Sequence, residues 1–228
     1  MARIFIAVEG ETEESFVNVV LAPHLLVFGH VISARLMGNS RLRVRRGGIQ
    51  GWPGVAQDIV RRLSSDPNCF LTTMVDYYAL PSIGTGAWPG RAAASHLPFP
   101  RKALHVQQEI AKDIQSRMDA NLQVGKLIPY VMMHESEGLL FSDCSAFARG
   151  VARPGLEPKL QAIRDQFGSP EEIIDSPITA PSKRVEALIP GYEKPFMGTL
   201  AVLEIGLAPI RKECPLFSAW LSNLEALS

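Results

Sequence analysis

The stretch RIFIAVEGETEESF, residues 3–16, contains the pattern that decides the fold. Residues 3–8 form a short apolar run with several β-branched side chains, which is typical of a strand buried on both faces. The run ends at Glu9, and an acidic sequence with Thr12 as its predicted N-cap opens a helix. The predicted buried stripe of this helix is Phe16, Val19, Val20 and Leu21. A strand followed at once by a helix predicts an α/β fold with a mainly parallel sheet flanked by helices. The carboxyl ends of such strands face the functional crevice, so we expect Glu9 to lie there.

The acidic residues that follow this strand need a positive partner. Glu9, Glu11, Glu13 and Glu14 fall within six positions, and their charges repel one another. The positive end of a helix dipole explains Glu13 and Glu14 as part of a solvated turn, but it does not explain Glu9, which ends an apolar strand. Glu13 is expected to point the same way as Glu9. A hard divalent cation, Mg²⁺ or Mn²⁺, is the natural counter-ion for clustered carboxylate oxygens.

Two further apolar strands are also followed by acidic residues. The run 70–75 ends at Asp76, and the run 127–133 leads into the sequence HESE, which contains Glu135 and Glu137. A turn or a helix N-cap is the alternative role for Asp76, and a polar turn accounts for one of the two glutamates more easily than for both. If the strands are parallel, their acidic ends converge at one crevice. The sequence therefore predicts a shared carboxylate site.

Two groups of cations are candidates for contact with an anion. An arginine-rich segment beside two glycines could hold phosphates by bidentate hydrogen bonds, or it could be a solvated loop whose arginines serve solubility. Its members are Arg41, Arg43, Arg45 and Arg46. In the C-terminal region, Lys183, Arg184 and Lys194 are the cations predicted to reach an acidic site, and Ser182 is the predicted N-cap of a helix over 181–188.

Size and composition favour one domain with a helical extension. The chain has 228 residues and 46% hydrophobic content, which is ample for a core. We predict a single domain over 1–228, with a core over about 1–145 and a helical C-terminal cover over about 146–228. Lys+Arg 23 and Asp+Glu 23 cancel, so no global basic field indicates nucleic acid. Three widely separated cysteines fit a reducing cytoplasm, and no apolar run reaches membrane-spanning length.

Several segments together resemble one bacterial family, Domain of Unknown Function 4276, which is regarded as a relative of the Toprim fold. The segments are VEGETE (8–13), Asp76, HESEGLLFSD (134–143), APSKR (180–184) and PGY (190–192). Toprim domains occur in topoisomerases, primases and overcoming-lysogenization-defect (OLD) nucleases, where acids after successive strands bind Mg²⁺ for phosphodiester chemistry. The resemblance implies that Glu9 is the Toprim glutamate, Glu13 the second acid of OLD-type sites and Asp76 the first acid of an Asp-x-Asp element.

The sequence departs from this family pattern at three positions. Tyr78 stands where the second Asp of the Asp-x-Asp element is expected, and Ser136 and Gly138 stand where Phe and Ala are expected. The first departure removes one ligand of a standard two-metal site. Glu135 or Glu137 would have to supply the missing oxygen.

The leading hypothesis from the sequence is a metal-dependent nuclease that acts on DNA or RNA. Lys183 or Arg184 would then stabilise the charge that develops on the phosphate. One alternative is a non-catalytic interaction subunit that keeps a degenerate Toprim site. Another is a metal-dependent phosphatase for small phosphate esters. The resemblance further implies a partner, an OLD-like or structural-maintenance-type ATPase, and a role in phage defence.

Overall fold

A computed structural model of the chain describes residues 1–37, 49–66, 68–118, 124–173 and 180–227. Its centre is a parallel sheet of five strands in the order β2-β1-β3-β4, with β5 also pairing with β3. The strands are β1 (Arg3–Val8), β2 (Val31–Leu36), β3 (Cys69–Asp76), β4 (Leu127–Ile128) and β5 (Val131–Met132). The predicted α/β fold with a parallel sheet, flanking helices and a helical C-terminal end is confirmed.

Helices cover both faces of this sheet. Between the strands lie α1 (Glu11–Phe16), a π-helical turn (Val17–Leu21), α2 (Ala22–Val27), α3 (Trp52–Ser65) and α4 (Arg101–Arg117). The C-terminal part contains α5 (Cys144–Gly150), α6 (Glu157–Arg164), α7 (Pro181–Leu188), α8 (Lys194–Ile205), α9 (Leu207–Glu213) and α10 (Pro215–Glu225). Among the described segments, no helix is both long and apolar enough to span a membrane.

The alternation of side chains along β1 and β3 assigns helices to the two faces. Ile6 is in register with Thr72, and the Thr72 hydroxyl accepts a hydrogen bond from Trp220 of α10. Phe5 points to the opposite face, where the guanidinium of Arg62 in α3 lies over its ring. The central strands are therefore covered on both sides, which explains why residues 3–8 read as a continuous apolar run.

The edge of the sheet differs from the prediction of one strand over 127–133. Pro129 has no N–H to donate to the ladder, and pairing with β3 stops there and resumes at Val131. The Thr73 hydroxyl fills the gap, since it accepts from Tyr130 N at 3.0 Å and donates to Tyr130 O at 2.9 Å. The two short strands β4 and β5 are thus joined through a side chain.

Three local predictions from the sequence were wrong. Gly10, not Thr12, is the N-cap of α1, and Ala180, not Ser182, is the N-cap of α7. Val19 was expected to be buried but is 41% exposed. The π-helical turn explains this difference, because its wider turn rotates the buried face so that Leu21 follows Phe16 into the core.

Candidate functional site

Glu9 and Asp76 meet at the carboxyl edge of the two central strands. Val8 is in register with Met74, so the chain delivers Glu9 beside the end of β3, where Asp76 N donates to Glu9 Oε2 at 3.4 Å. Burial, with the negative charge of Glu13 added, raises the pKa of Glu9 to about 7. Burial also raises the pKa of Asp76 to about 8, although the Tyr78 N–H opposes the shift. Two carboxyl groups are therefore held together in a place that disfavours their charge.

Glu13 joins these two groups from the first turn of α1. Its Oε1 accepts a hydrogen bond of 2.9 Å from the Ser136 hydroxyl, which lies in a 3₁₀ helix, Ser136–Ser142. Its charge contributes to the raised pKa of both Glu9 and Asp76. Ser136 thus connects the strand–helix junction of residues 9–13 to the segment that follows β5.

Glu135 is the best-satisfied carboxylate of the group. Its Oε2 accepts a hydrogen bond of 3.0 Å from Ser182 N, in the first turn of α7, and its Oε1 accepts one of 3.2 Å from Lys194 Nζ. Burial opposes ionisation of Glu135, but its interactions with Ser182 and Lys194 outweigh burial and lower its pKa. Glu135 is therefore a charged N-terminal cap for a helix that is distant in sequence.

Glu137 is more deeply buried than Glu135 and has fewer hydrogen-bond partners. Its side chain is 3% exposed, and Lys194 Nζ approaches its Oε1 at 3.7 Å. From the residues that the structure describes, this oxygen receives no hydrogen bond. Burial raises the pKa of Glu137 to about 7, although the charge of Lys194 acts in the opposite direction. The oxygen is a buried acceptor that lacks a donor.

The structure places the predicted cations differently from the sequence hypothesis. Lys194 contacts the carboxylates, whereas Lys183, the predicted catalytic lysine, is 55% exposed and bonds Glu186 at 2.7 Å. Lys183 points away because it lies on the solvent side of α7. Arg184 lies with its guanidinium over the Phe167 ring at 5.3 Å. Arg41, Arg43, Arg45 and Arg46 fall outside the described residues.

The donor set suits a hard cation, but the arrangement is not a finished metal centre. In the ranges that the structure covers, no three His, Cys, Asp or Glu side chains form a group able to hold a metal ion. The carboxylates are nevertheless close enough that Glu9, Glu13 and Glu135 all raise the pKa of Asp76. Clustered carboxylate oxygens, the repulsion among them and a buried Glu137 Oε1 that receives no hydrogen bond from the described residues are chemically suited to Mg²⁺ or Mn²⁺.

All five acids that the sequence singled out lie in this region, which we call the acidic crevice: Glu9, Glu13, Asp76, Glu135 and Glu137. The sequence hypothesis placed Lys183 or Arg184 at the phosphate, whereas the structure brings Lys194, the third predicted cation, to the carboxylates. The hypothesis gave no role to Tyr192, whose hydroxyl has a pKa raised by burial and by the charges of Glu137 and Glu135. The signal for Tyr192 in the sequence is the PGY segment (190–192), in which Gly191 takes a φ of 80° shortly before Lys194.

Comparisons with known proteins identify the family but add little about activity. Residues 8–225 match the family model described as Domain of unknown function (DUF4276). No curated protein matches the chain. A solved structure, the C-terminal region of the OLD protein of Xanthomonas campestris pv. campestris, is similar at 16% identity with a TM-score of 0.35, covering 98% of this chain and 97% of that one. Because the family model spans nearly the whole sequence, the chain belongs to the DUF4276 family.

Proposed function

We propose that the protein hydrolyses phosphodiester bonds of DNA or RNA with Mg²⁺ or Mn²⁺ bound in the acidic crevice. The observation that supports this function is the convergence of acids that lie after separate strands. Burial raises the pKa of Glu9, Asp76 and Glu137, so holding these carboxylates in ionised form in the folded protein costs free energy. A purely structural turn would not require this arrangement. The same proposal includes a relationship between this protein and the Toprim nucleases of the OLD family.

In this mechanism Glu9, Glu13 and Asp76 would hold the cation. Glu135 and Glu137 would supply further oxygens in place of the acid that Tyr78 replaces. The bound ion would polarise the scissile phosphate and lower the pKa of the attacking water. Lys194 takes the role that the sequence assigned to Lys183, since its ammonium group is held at the crevice by Glu135 and can neutralise charge on the phosphate.

The decisive experiment is a cleavage assay with Mg²⁺ or Mn²⁺ on plasmid DNA and on transfer RNA. We expect Glu9→Gln and Asp76→Asn each to lower the cleavage rate by roughly 10³-fold or more, because each removes a charged ligand worth several kcal/mol. Glu11→Gln is the matched control, since Glu11 is an exposed acid of the same acidic segment. If Glu9→Gln cleaves as fast as the parent protein, the proposed function is wrong.

A second candidate function is a non-catalytic interaction subunit with a degenerate crevice. Tyr78 in place of an acid and the absence of a preformed metal group among the described residues favour it. Isothermal titration with Mn²⁺ separates the two functions, because no binding at millimolar metal would favour the interaction subunit. Competing nucleic acid against a small phosphate ester would test the phosphatase alternative in the same preparation.

The proposed partner is an OLD-like or structural-maintenance-type ATPase, and the proposed setting is phage defence. This proposal rests on the resemblance to the family in sequence. Co-expression with an ATPase encoded beside the gene, followed by co-purification, is the direct test. Separate elution of the two proteins at micromolar concentration would contradict the partnership.

A further inference from the structure

An exposed aromatic ring stands beside the acidic crevice. Tyr78 N donates to Asp76 Oδ1 at 2.8 Å, so the ring is attached two residues from a proposed metal ligand. Tyr78 is a large aromatic residue, and it is nevertheless 44% exposed. The position that the family pattern gives to an acid therefore carries a flat, accessible surface.

The ring of Tyr78 is supported from the protein side. The imidazole of His134 stacks on it with centroids 5.3 Å apart and an interplanar angle of 14°. The buried His134 covers part of one face of the tyrosine ring, and the 44% exposure of Tyr78 leaves part of its surface accessible to solvent. Tyr77 contacts the ring edge-on, at 5.0 Å and 82°. These contacts restrict rotation of Tyr78, so little conformational entropy would be lost if a ligand stacked on it.

Two cations lie close to this ring. The guanidinium carbon of Arg91 is 5.8 Å from the ring centroid, and hydrogen bonds to the Tyr77 carbonyl and hydroxyl hold it in place. Lys102 Nζ is 6.0 Å from the same centroid. A flat ring with adjacent positive charge matches the two parts of a nucleotide, a base with a π face and a phosphate.

We propose that Tyr78 is a stacking platform for a nucleobase next to the scissile phosphate, and that the preferred substrate is therefore single-stranded nucleic acid. In a duplex both faces of each base are covered by neighbouring bases, so only an unpaired base can offer a face to the tyrosine. Arg91 and Lys102 lie where they can contact the phosphates that flank the stacked base. This inference rests on the proposed function, because it assigns the substrate class of the same crevice.

The first test measures binding without cleavage. Fluorescence anisotropy with short phosphorothioate oligonucleotides, in matched single-stranded DNA, single-stranded RNA and duplex forms, gives the affinities. We expect Tyr78→Leu to bind single strands about 5- to 150-fold more weakly, equivalent to roughly 1–3 kcal/mol, and Tyr78→Phe to retain the affinity of the parent protein. Phe28→Ala is the matched control, because Phe28 is an exposed aromatic that precedes the amino end of β2, whereas Tyr78 follows the carboxyl end of β3.

The second test begins with the unaltered protein, which needs no variant to fold, and then repeats the measurement with Tyr78→Leu. A single-stranded oligonucleotide is scanned with one abasic nucleotide at successive positions, and binding and cleavage are both measured. An abasic nucleotide at one position should weaken binding to the parent protein by a factor similar to that of Tyr78→Leu. Binding of that oligonucleotide to Tyr78→Leu should be no weaker than with either change alone. Equal affinity for duplex and single strand, or an unchanged Tyr78→Leu, would overturn the inference while parent cleavage still supported the proposed function. A parent protein that neither binds nor cleaves any form would overturn both.

Discussion

At the scale of single residues, the acidic crevice contains carboxylates in two electrostatic environments. Glu135 accepts hydrogen bonds from Ser182 and Lys194, and its pKa is lowered. Glu9 and Asp76 are partly buried, neither forms an ion pair with another described residue, and desolvation raises the pKa of each. Carboxylates of one site therefore differ, since hydrogen bonds and an ammonium group favour the ionised form of Glu135, whereas burial disfavours the ionised forms of Glu9 and Asp76.

The first residue-scale prediction concerns Lys194. Lys194→Met should lower the rate of metal-dependent cleavage by roughly 10²- to 10³-fold, because the variant loses a charge held beside Glu135 and Glu137. Steady-state cleavage rates at saturating metal provide the measurement. Lys183→Met is the control, since Lys183 pairs with Glu186 on the exposed side of α7, and it should cleave like the parent. Equal losses in both variants would reject the assignment.

At the scale of elements, two helices are capped by carboxylates that are distant in sequence. Glu135 accepts the amide N–H of Ser182 in α7, and Glu171 accepts those of Leu216 at 2.9 Å and Phe217 at 3.0 Å in α10. Both helices begin with proline, which has no backbone N–H. The first N–H groups that need an acceptor therefore belong to the residues that follow it. Such caps fix the position of a helix relative to the segment that supplies the acid.

The prediction at this scale concerns Glu171, whose pKa burial raises to about 7. A folded-state pKa above the unfolded value means that the stabilisation by this group is complete below about pH 4.5 and is lost as the pH rises through about 7. Glu171→Gln cannot titrate, and its NH2 group replaces one of the two oxygens that accept from the α10 N–H groups, so one of those N–H groups loses its acceptor. We therefore expect the variant to be about 1–3 kcal/mol less stable than the parent at pH 5, with a smaller difference at pH 8.

Urea unfolding at several pH values measures this difference. Glu172→Gln is the matched control, because it removes the neighbouring acid of the same segment without touching the α10 amides. A difference that grows between pH 5 and pH 8 would show that the amides lower the pKa of Glu171 and would contradict the expected sign.

At the scale of the whole molecule, the C-terminal helices form part of the core as well as a cover. The Trp220 ring of α10 stacks on Tyr130 at 4.4 Å, and its indole N–H donates to Thr72 of β3 at 2.9 Å. Phe217 of the same helix packs against Phe16 of α1. Residues 1–145 alone would therefore expose the apolar face that α10 covers, and one domain over 1–228 stays a prediction.

The corresponding prediction is that Trp220→Ala destabilises the entire chain. Loss of a large buried aromatic should lower the free energy of unfolding by about 3–5 kcal/mol, with one cooperative transition in both proteins. Circular dichroism and tryptophan fluorescence during urea unfolding should report the same midpoint. Leu203→Ala in α8 is a control at an exposed apolar position and should change stability by less than about 1 kcal/mol. Two separate transitions would contradict a single domain.

Much of the fold could be predicted because apolar runs and their acidic ends are local features. Residues 3–8 and 70–75 read correctly as buried strands, and Asp76 read correctly as the end of one. The interruption at Pro129 was visible in the sequence, but its repair by the Thr73 hydroxyl was not, because that contact joins residues far apart in the chain. The choice between Lys183 and Lys194 likewise depended on tertiary structure, because Lys183 lies on the exposed side of α7 while Lys194, at the start of α8, contacts Glu135.

The sequence by itself determined the parallel sheet and the set of acids at its carboxyl edge, because burial on both faces and the strand-to-helix change are encoded in short stretches. Only the tertiary structure decided which acids have partners, which lysine reaches them and that the exposed ring of Tyr78 stacks on His134. The physical reason is that charge, burial and hydrogen bonding depend on neighbours such as Glu135, Ser182 and Lys194, which the fold brings together from separate segments.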